Sequence, residues 1–429
     1  MTTLCLTPSN LTGTVEIPSS KSMGHRELIC AALAQGQSRI SNVSLSKDIL
    51  ATVQGLKALG ADLRQEPLQE DRATFLVEGT GLKVVNPNIA CGESGSTLRF
   101  LIPLAASCRQ PVTFTGGGKL PMRPLDPYFK IFQEQGIAFT KGVQANLPLT
   151  VQGPLQPGKF TVPGNVSSQF ISGLLFALPL LQGDSTLEIT ETLESKSYVT
   201  MTLAALQKYG IKIQKESEKL YRIAGRQEYQ ARTSPVEGDF SQAAFWLVAG
   251  TLSGPLVLQG MEQASLQGDK AILTILKNMG GRFTFTNTEL NVAKALTHGL
   301  KIDATDCPDL VPVLTVLAAV SQGHTEIINA GRLRLKECDR LAAISTELKK
   351  LGALITERQD GLSIDGVESL TGGKVTSWHD HRIAMSLAIA SIKCKQPLLI
   401  EDTECVEKSY PTFWQDFAKV GGHYEQCLR

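Results

Sequence analysis

The chain has 429 residues, with 42 lysines and arginines against 41 aspartates and glutamates, and nine cysteines. A formal charge of +1 and an aromatic content of 6% offer neither a basic track nor stacking platforms, which argues against a nucleic-acid partner. The length implies two or three domains with sizeable cores. No Cys-x-x-Cys pair occurs, so zinc and thioredoxin-like readings fail, and scattered thiols suit a reducing cytoplasm.

Taken in order, the chain opens on Met-Thr-Thr-Leu-Cys-Leu-Thr, which lacks the basic segment and apolar run of a signal peptide. The longest apolar stretches, 170–181 and 310–320, are too short to span a bilayer and are predicted as core helices, so no membrane partner is expected. The sequence then repeats itself. Amphipathic segments end at Gly60, Gly136, Gly210, Gly280, Gly352 and Gly421, spaced 69 to 76 residues apart, and each runs into a further apolar position. Each glycine is predicted just past a helix, in the left-handed region, with a strand following at once. One supersecondary unit is therefore used six times.

The fifth copy shows the unit most clearly. An apolar helix over 310–320 leads to a strand at 325–328 and a second helix. A strand at 353–356 and a closing strand at 362–365 follow across an Asp-Gly turn. With a strand ahead of the first helix the unit reads β-α-β-α-β-β. The sixth copy stops near Tyr424 without its closing strand, while the N-terminus carries surplus strand-like segments at 4–6 and 14–17. The simplest closure uses those strands to complete the C-terminal half. That predicts one domain over 19–237 and another over 1–18 plus 238–429, three copies each, joined by a double crossover able to hinge.

Cations gather at particular places in this period. Arg332-Leu-Arg-Leu-Lys-Glu-Cys-Asp-Arg340 reads as the opening of the fifth copy's second helix, because Leu341, Ile344, Leu348 and Leu351 recur at helical spacing. On that reading Lys336 and Arg340 are helix neighbours, Glu337 offsets Arg340 at i,i+3, and the surplus cations oppose the helix dipole. Thirteen residues before each repeat glycine stand Lys47, Arg123, Ser197, Gln267, Asp339 and Lys408, the predicted starts of the six second helices. The loops ahead of the first helices are 20–26, 92–99, 164–169, 237–242, 306–309 and 379–382. Equivalent ends of copied units would converge on one cleft. Serines and aspartates there could be plain caps. Lys21, Arg26, Arg123, Lys336, Arg340, Arg382 and Lys408 together exceed what capping uses, and helix N-termini bind phosphate and carboxylate well. The expected ligand is a small polyanion.

Other motifs are missing. Gly116-Gly-Gly-Lys119 runs into Leu-Pro and is no phosphate loop, and no dinucleotide fingerprint opens a βαβ unit. His379 and His381 lack a third ligand, so no metal and no cofactor are expected. Cys307 and Cys338 have no sequence neighbour that would activate a thiol and are expected to pack.

The motifs Ser20-Lys-Ser22 with Arg26, Gly95-Ser-Thr-Leu-Arg99, Arg123-Pro124, Val166-Ser-Ser-Gln169, Ser195-Lys-Ser-Tyr198, Pro308-Asp309, Arg334-Leu-Lys-Glu-Cys-Asp-Arg340, Asp380-His-Arg382 and Lys408-Ser-Tyr-Pro411 run from residue 3 to about 420. Together they resemble the 5-enolpyruvylshikimate-3-phosphate synthase family of enolpyruvyl transferases. The resemblance implies a two-domain inside-out α/β barrel and a monomeric cytoplasmic enzyme of the shikimate pathway. It implies that Lys21, Ser22, Arg26, Ser167, Ser168, Gln169, Ser195, Tyr198, Asp309 and Lys336 hold shikimate 3-phosphate. Lys21, Gly95, Arg123, Gln169, Arg340, Arg382 and Lys408 would hold phosphoenolpyruvate, with Asp309, Glu337 and Lys21 as catalytic groups. The related transferase acting on UDP-N-acetylglucosamine carries a loop cysteine before its Arg-Pro, and 116–124 here has none. A repeat-built nucleic-acid clamp is the alternative from another class. Glu93, Arg332 and His25 depart from the better-known bacterial pattern, where asparagine is usual; Glu93 is expected to pair with Arg332 or a nearby lysine.

Overall fold

The computed structural model describes residues 2–68 and 72–427; Met1 and the last two residues of the 238–429 segment lie outside the described residues. Two compact units are present, one of Met1–Pro18 with Glu237–Arg429 and one of Ser19–Val236. Among the described residues no helix is long and apolar enough to cross a membrane.

Six sheets carry the chain, and their strand orders repeat. In the fifth copy Lys301–Asp303 lies parallel to His324–Ile328, which pairs antiparallel with Gly361–Asp365, itself antiparallel to Leu354–Arg358. A parallel pair needs a crossover, and the helix Val311–Ala319 supplies it. All nine residues of that helix are buried, as are all but one of Phe240–Leu252, because helices that are apolar all round belong inside a core.

Three sheets take a strand from a distant part of the sequence. Leu4–Thr7 lies between Leu398–Glu401 and His423–Gln426, filling the place of the sixth copy's missing closing strand. Gly13–Glu16 runs parallel to Leu256–Gln259 and completes the fourth copy. Tyr229–Gln230 and Thr233–Pro235 run parallel to Ala34–Ser44 and complete the first. Each unit thus supplies all the strands of its own sheets and has its own apolar core.

The repeat glycines all adopt positive φ: 104°, 66°, 83°, 95°, 89° and 96° from Gly60 to Gly421. Only glycine takes that conformation without strain, which is why the period is so readable. The second-helix starts are less regular. Lys47–Ala58 begins where expected, but Arg123 and Lys408 lie in turns ahead of the helices Asp126–Gln135 and Phe413–Lys419. The fifth copy also differs from its sequence reading. Gly331–Leu335 is a 3-10 turn, Lys336 is extended, and the helix Arg340–Lys350 begins only at Arg340, with Asp339 as its cap. Asp339 Oδ1 accepts the Ala342 amide at 3.0 Å, and Arg334 grips Asp339 Oδ2 at 2.8 Å. An N-cap aspartate with non-helical φ and ψ outcompetes continuation of the helix upstream. Lys336 is therefore not a helix neighbour of Arg340; it approaches from the side.

Candidate active site

In the Ser19–Val236 unit the site residues stand at the N-termini of capped helices. Ser20 caps Lys21–Leu33, Ser46 caps Lys47–Ala58, Ser94 caps Gly95–Ala106 and Ser167 caps Ser168–Ala177. Capping fixes the first turn and leaves other amide N–H groups for an anion. Lys21 Nζ meets Asp48 Oδ2 at 2.9 Å, so two neighbouring helix starts share one ion pair. Beneath them His25 Nδ1 lies 2.7 Å from Thr52 Oγ1, which is 2.7 Å from Thr97 Oγ1, and Thr97 donates to Ser94 Oγ at 2.7 Å. This buried chain of hydroxyls locks three helix starts together.

A second cluster forms around Gly95. Arg99 donates to Gln169 Oε1 at 2.7 Å and to the Pro124 carbonyl at 3.1 Å, and Gln169 donates to Ser96 Oγ at 2.9 Å. A methyl group added at Gly95 would begin 2.9 Å from Arg123 Nη1 and 3.3 Å from Arg99 Nη1. Two guanidinium groups therefore converge on a backbone that has no side chain. Arg26 is placed differently. It is buried, and its nitrogens reach Thr202 Oγ1 at 2.9 Å, the Ser22 carbonyl at 2.6 Å and the Tyr198 carbonyl at 2.9 Å. Burial lowers its guanidinium to about 10. Arg26 ties the Lys21 helix to the helix Lys196–Lys208, at whose start Ser195 sits in the left-handed region at φ 53°.

In the Glu237–Arg429 part, Asp309 is enclosed by cations. Its Oδ1 accepts from Arg340 Nη1 at 2.8 Å and lies 3.5 Å from Lys336 Nζ; its Oδ2 accepts from Arg382 Nη2 at 3.1 Å. Burial alone would push this carboxyl up, but Arg382, Lys336 and Arg340 outweigh it and hold Asp309 well below the usual carboxylate range. Glu337 lies between Arg340 Nη2 at 2.9 Å and Lys408 Nζ at 3.3 Å. Arg340 is 2% exposed and also bonds Asp380. After the cost of burial, Asp380, Glu337 and Asp309 keep it fully charged, well above its ordinary value. Burial, with Arg340 and Arg332 adding to it against Asp309 and Glu337, pulls the Lys336 ammonium down to about 8, although 27% of its side chain meets solvent.

The structure thus brings Asp309, Lys336, Glu337, Arg340, Arg382 and Lys408 into one network, and Gly95, Arg123 and Gln169 into another. Sequence reasoning assigned no task to Asp48, Arg99 or Asp380; each works through a partner far away in sequence. Cys307 and Cys338 are buried, and burial pushes the Cys307 thiol up to about 12. Of the departures, Arg332 donates to the Thr305 carbonyl, and the Glu93 carboxyl packs against Gly118.

Clustered cations in one unit and capped helix starts in the other are features that suit small phosphorylated anions. The fold is that of the enolpyruvyl transferases: it matches the enolpyruvyl transferase NikO from Streptomyces tendae with a TM-score of 0.82 over 100% of this chain and 99% of that one, at 18% identity. The EPSP synthase from Acinetobacter baumannii superposes with a TM-score of 0.84 at 25% identity, covering 100% of both chains. The family model for EPSP synthase (3-phosphoshikimate 1-carboxyvinyltransferase) matches residues 6–417. The 3-phosphoshikimate 1-carboxyvinyltransferase of Clostridium novyi (strain NT) is 51% identical over 427 residues, 98% of each chain, and that of Clostridioides difficile (strain 630) is 47% identical over 436, 99% of each. The chain belongs to the EPSP synthase family, and its activity is transfer of a carboxyvinyl group to shikimate 3-phosphate.

Proposed function

We propose the following division of labour. Lys21, Ser22, Ser167, Ser168, Gln169, Ser195 and Tyr198 hold shikimate 3-phosphate, with Lys336 and Asp309 at its hydroxyls; Arg26 shapes this pocket by fixing Ser22 and Tyr198. Lys21, Gly95, Arg123, Gln169, Arg340, Arg382 and Lys408 hold the phosphate and carboxylate of phosphoenolpyruvate. The observation that carries the reading is the cation cage around Asp309 and Glu337.

The substrate 5-hydroxyl attacks C2 of phosphoenolpyruvate, C3 gains a proton, and the tetrahedral adduct then loses phosphate. In the free protein the caged Asp309 is a weak base. When the donor's carboxylate and phosphate draw Arg340, Arg382 and Lys408 to themselves, Asp309 becomes able to take the hydroxyl proton. Released in the same way, Glu337 takes up a proton from solvent as the donor binds, delivers it to C3 and later removes one, with Lys21 sharing that duty. The base is thus activated by the second substrate, which guards against proton loss in its absence. Attack and departure occur at carbon, so no phosphoryl transition state calls for a divalent ion. We read the enzyme as a cytoplasmic monomer without cofactor.

Asp309→Ala tests the central role. Phosphate release should fall below detection while calorimetric binding of shikimate 3-phosphate persists; near-normal turnover would remove Asp309 from the base role.

A further inference from the structure

A second buried carboxyl stands behind Asp309. Asp269 lies in the 3-10 turn Gly268–Lys270, ahead of the helix Ala271–Asn278, and is 2% exposed. Its Oδ2 accepts a hydrogen bond from Ser241 Oγ, and its Oδ1 is buried without a partner. The charges facing it are Asp309 from the turn ahead of Val311–Ala319, Arg382 from the helix His381–Ala390, and Asp239 at the cap of Phe240–Leu252. The Cys307 thiol, un-ionised, also lies near it, and Lys270 on its own turn points away to the Gln263 carbonyl.

Of these two buried carboxyls, the one in contact with cations keeps its charge and the other holds its proton more tightly, and their partners decide which is which. Asp309 holds Arg340 at 2.8 Å, Arg382 at 3.1 Å and Lys336 at 3.5 Å, whereas Asp269 holds a hydroxyl. A buried carboxylate without a cation in contact is costly and takes up a proton instead. Burial first, and then the charge of Asp309, push Asp269 up to about 7.

We propose that Asp269 is a positioning residue of the phosphoenolpyruvate site: it keeps a proton behind Asp309, so that Arg382 meets the incoming anion without a competing carboxylate. Above neutral pH Asp269 ionises, draws on Arg382 and repels the donor. Binding the donor adds negative charge beside Asp269 and diverts Arg382, which raises its hold on the proton. Donor binding near pH 7.5 is thereby linked to proton uptake.

The inference rests on placing Arg382 at phosphoenolpyruvate, and the test separates the two. Donor binding to the enzyme–shikimate 3-phosphate complex is measured by calorimetry at pH 7.5 in two buffers of different ionisation enthalpy, alongside kcat/KM for phosphoenolpyruvate from pH 6 to 9. Wild type should take up roughly half a proton more than Asp269→Asn. Its kcat/KM should fall about tenfold per pH unit on the alkaline side through a limb that Asp269→Asn lacks. Identical uptake and an identical limb in the two proteins would overturn the inference. Uptake that accompanies shikimate 3-phosphate instead would leave Asp269 titrating but overturn the placement of Arg382. Should Asp269→Asn fold poorly, Ser241→Ala gives the same reading. Loss of the hydroxyl donor should move the limb to higher pH, and a limb that stays in place overturns the inference.

Discussion

Arg340 holds Asp380 through two nitrogens, Nε to Oδ2 at 2.8 Å and Nη2 to Oδ1 at 3.3 Å, with both side chains buried. The same carboxylate accepts the Arg382 amide at 2.8 Å as the cap of His381–Ala390. One group therefore orients both arginines that enclose Asp309. Asp380→Asn keeps the volume and an acceptor but removes the charge. Because it leaves a buried guanidinium short of a partner, it should cost about 3 kcal/mol in denaturant unfolding. It should also lower kcat/KM for phosphoenolpyruvate about 100-fold, the scale of losing one aligned donor to developing charge.

Gly95 offers a cleaner separation of binding from stability. A methyl there starts 2.9 Å from Arg123 Nη1, the far end of a flexible side chain, so Arg123 moves and the backbone stays. Alanine also favours the helix Gly95–Ala106 that this residue begins. Gly95→Ala should raise KM for phosphoenolpyruvate about tenfold, equivalent to ~1.4 kcal/mol. Binding of shikimate 3-phosphate and the unfolding midpoint should stay within error of wild type.

Much of this was legible in the sequence, for a physical reason. Six glycines forced into positive φ repeat a local signal that no neighbour overrides, and they mark the copies; the N-terminal strands follow from the copy that lacks its last one. The local path of Lys336 was not legible, since the apolar spacing after Arg340 does not say where the helix starts; the Asp339 cap decides that. Counting cations could not tell Arg340, which holds the carboxylates of Asp309, Glu337 and Asp380, from Arg26, whose nitrogens hold backbone carbonyls and Thr202. Asp269 and Asp380 carry no local signal of their roles because the partners that give them a role lie 28 to 40 positions away.

His25, where asparagine is more usual, belongs to the fold. Burial drives its imidazole down to about 3, with Lys21 and Arg26 adding to the effect against Asp48. The unfolded chain protonates near 6.5 and the folded one does not, so His25 contributes stability above that pH that is lost as pH falls toward 3. Between pH 7 and pH 5 this amounts to roughly 2 kcal/mol. His25→Asn should flatten the pH dependence of the urea midpoint over that interval, and an unchanged slope would show that the acid sensitivity arises elsewhere.

The turn that delivers Asp380 and Arg382 is held under strain. Trp378 and His379 are consecutive non-glycine residues with φ of 55° and 56°, a conformation costing of order 1–3 kcal/mol each. Glu347, buried on the same helix as Arg340, holds that turn: Oε1 accepts Trp378 Nε1 at 2.7 Å and Oε2 accepts the Thr376 amide at 3.1 Å. Trp378→Phe keeps the ring packing and deletes the donor, so stability should fall by about 1–2 kcal/mol. If the clamp serves the site, KM for phosphoenolpyruvate should rise several-fold while KM for shikimate 3-phosphate stays put, because Arg340 and Arg382 depend on this turn and Lys21, Ser167 and Tyr198 do not. An equal rise in both constants would mean that Trp378 supports the fold alone.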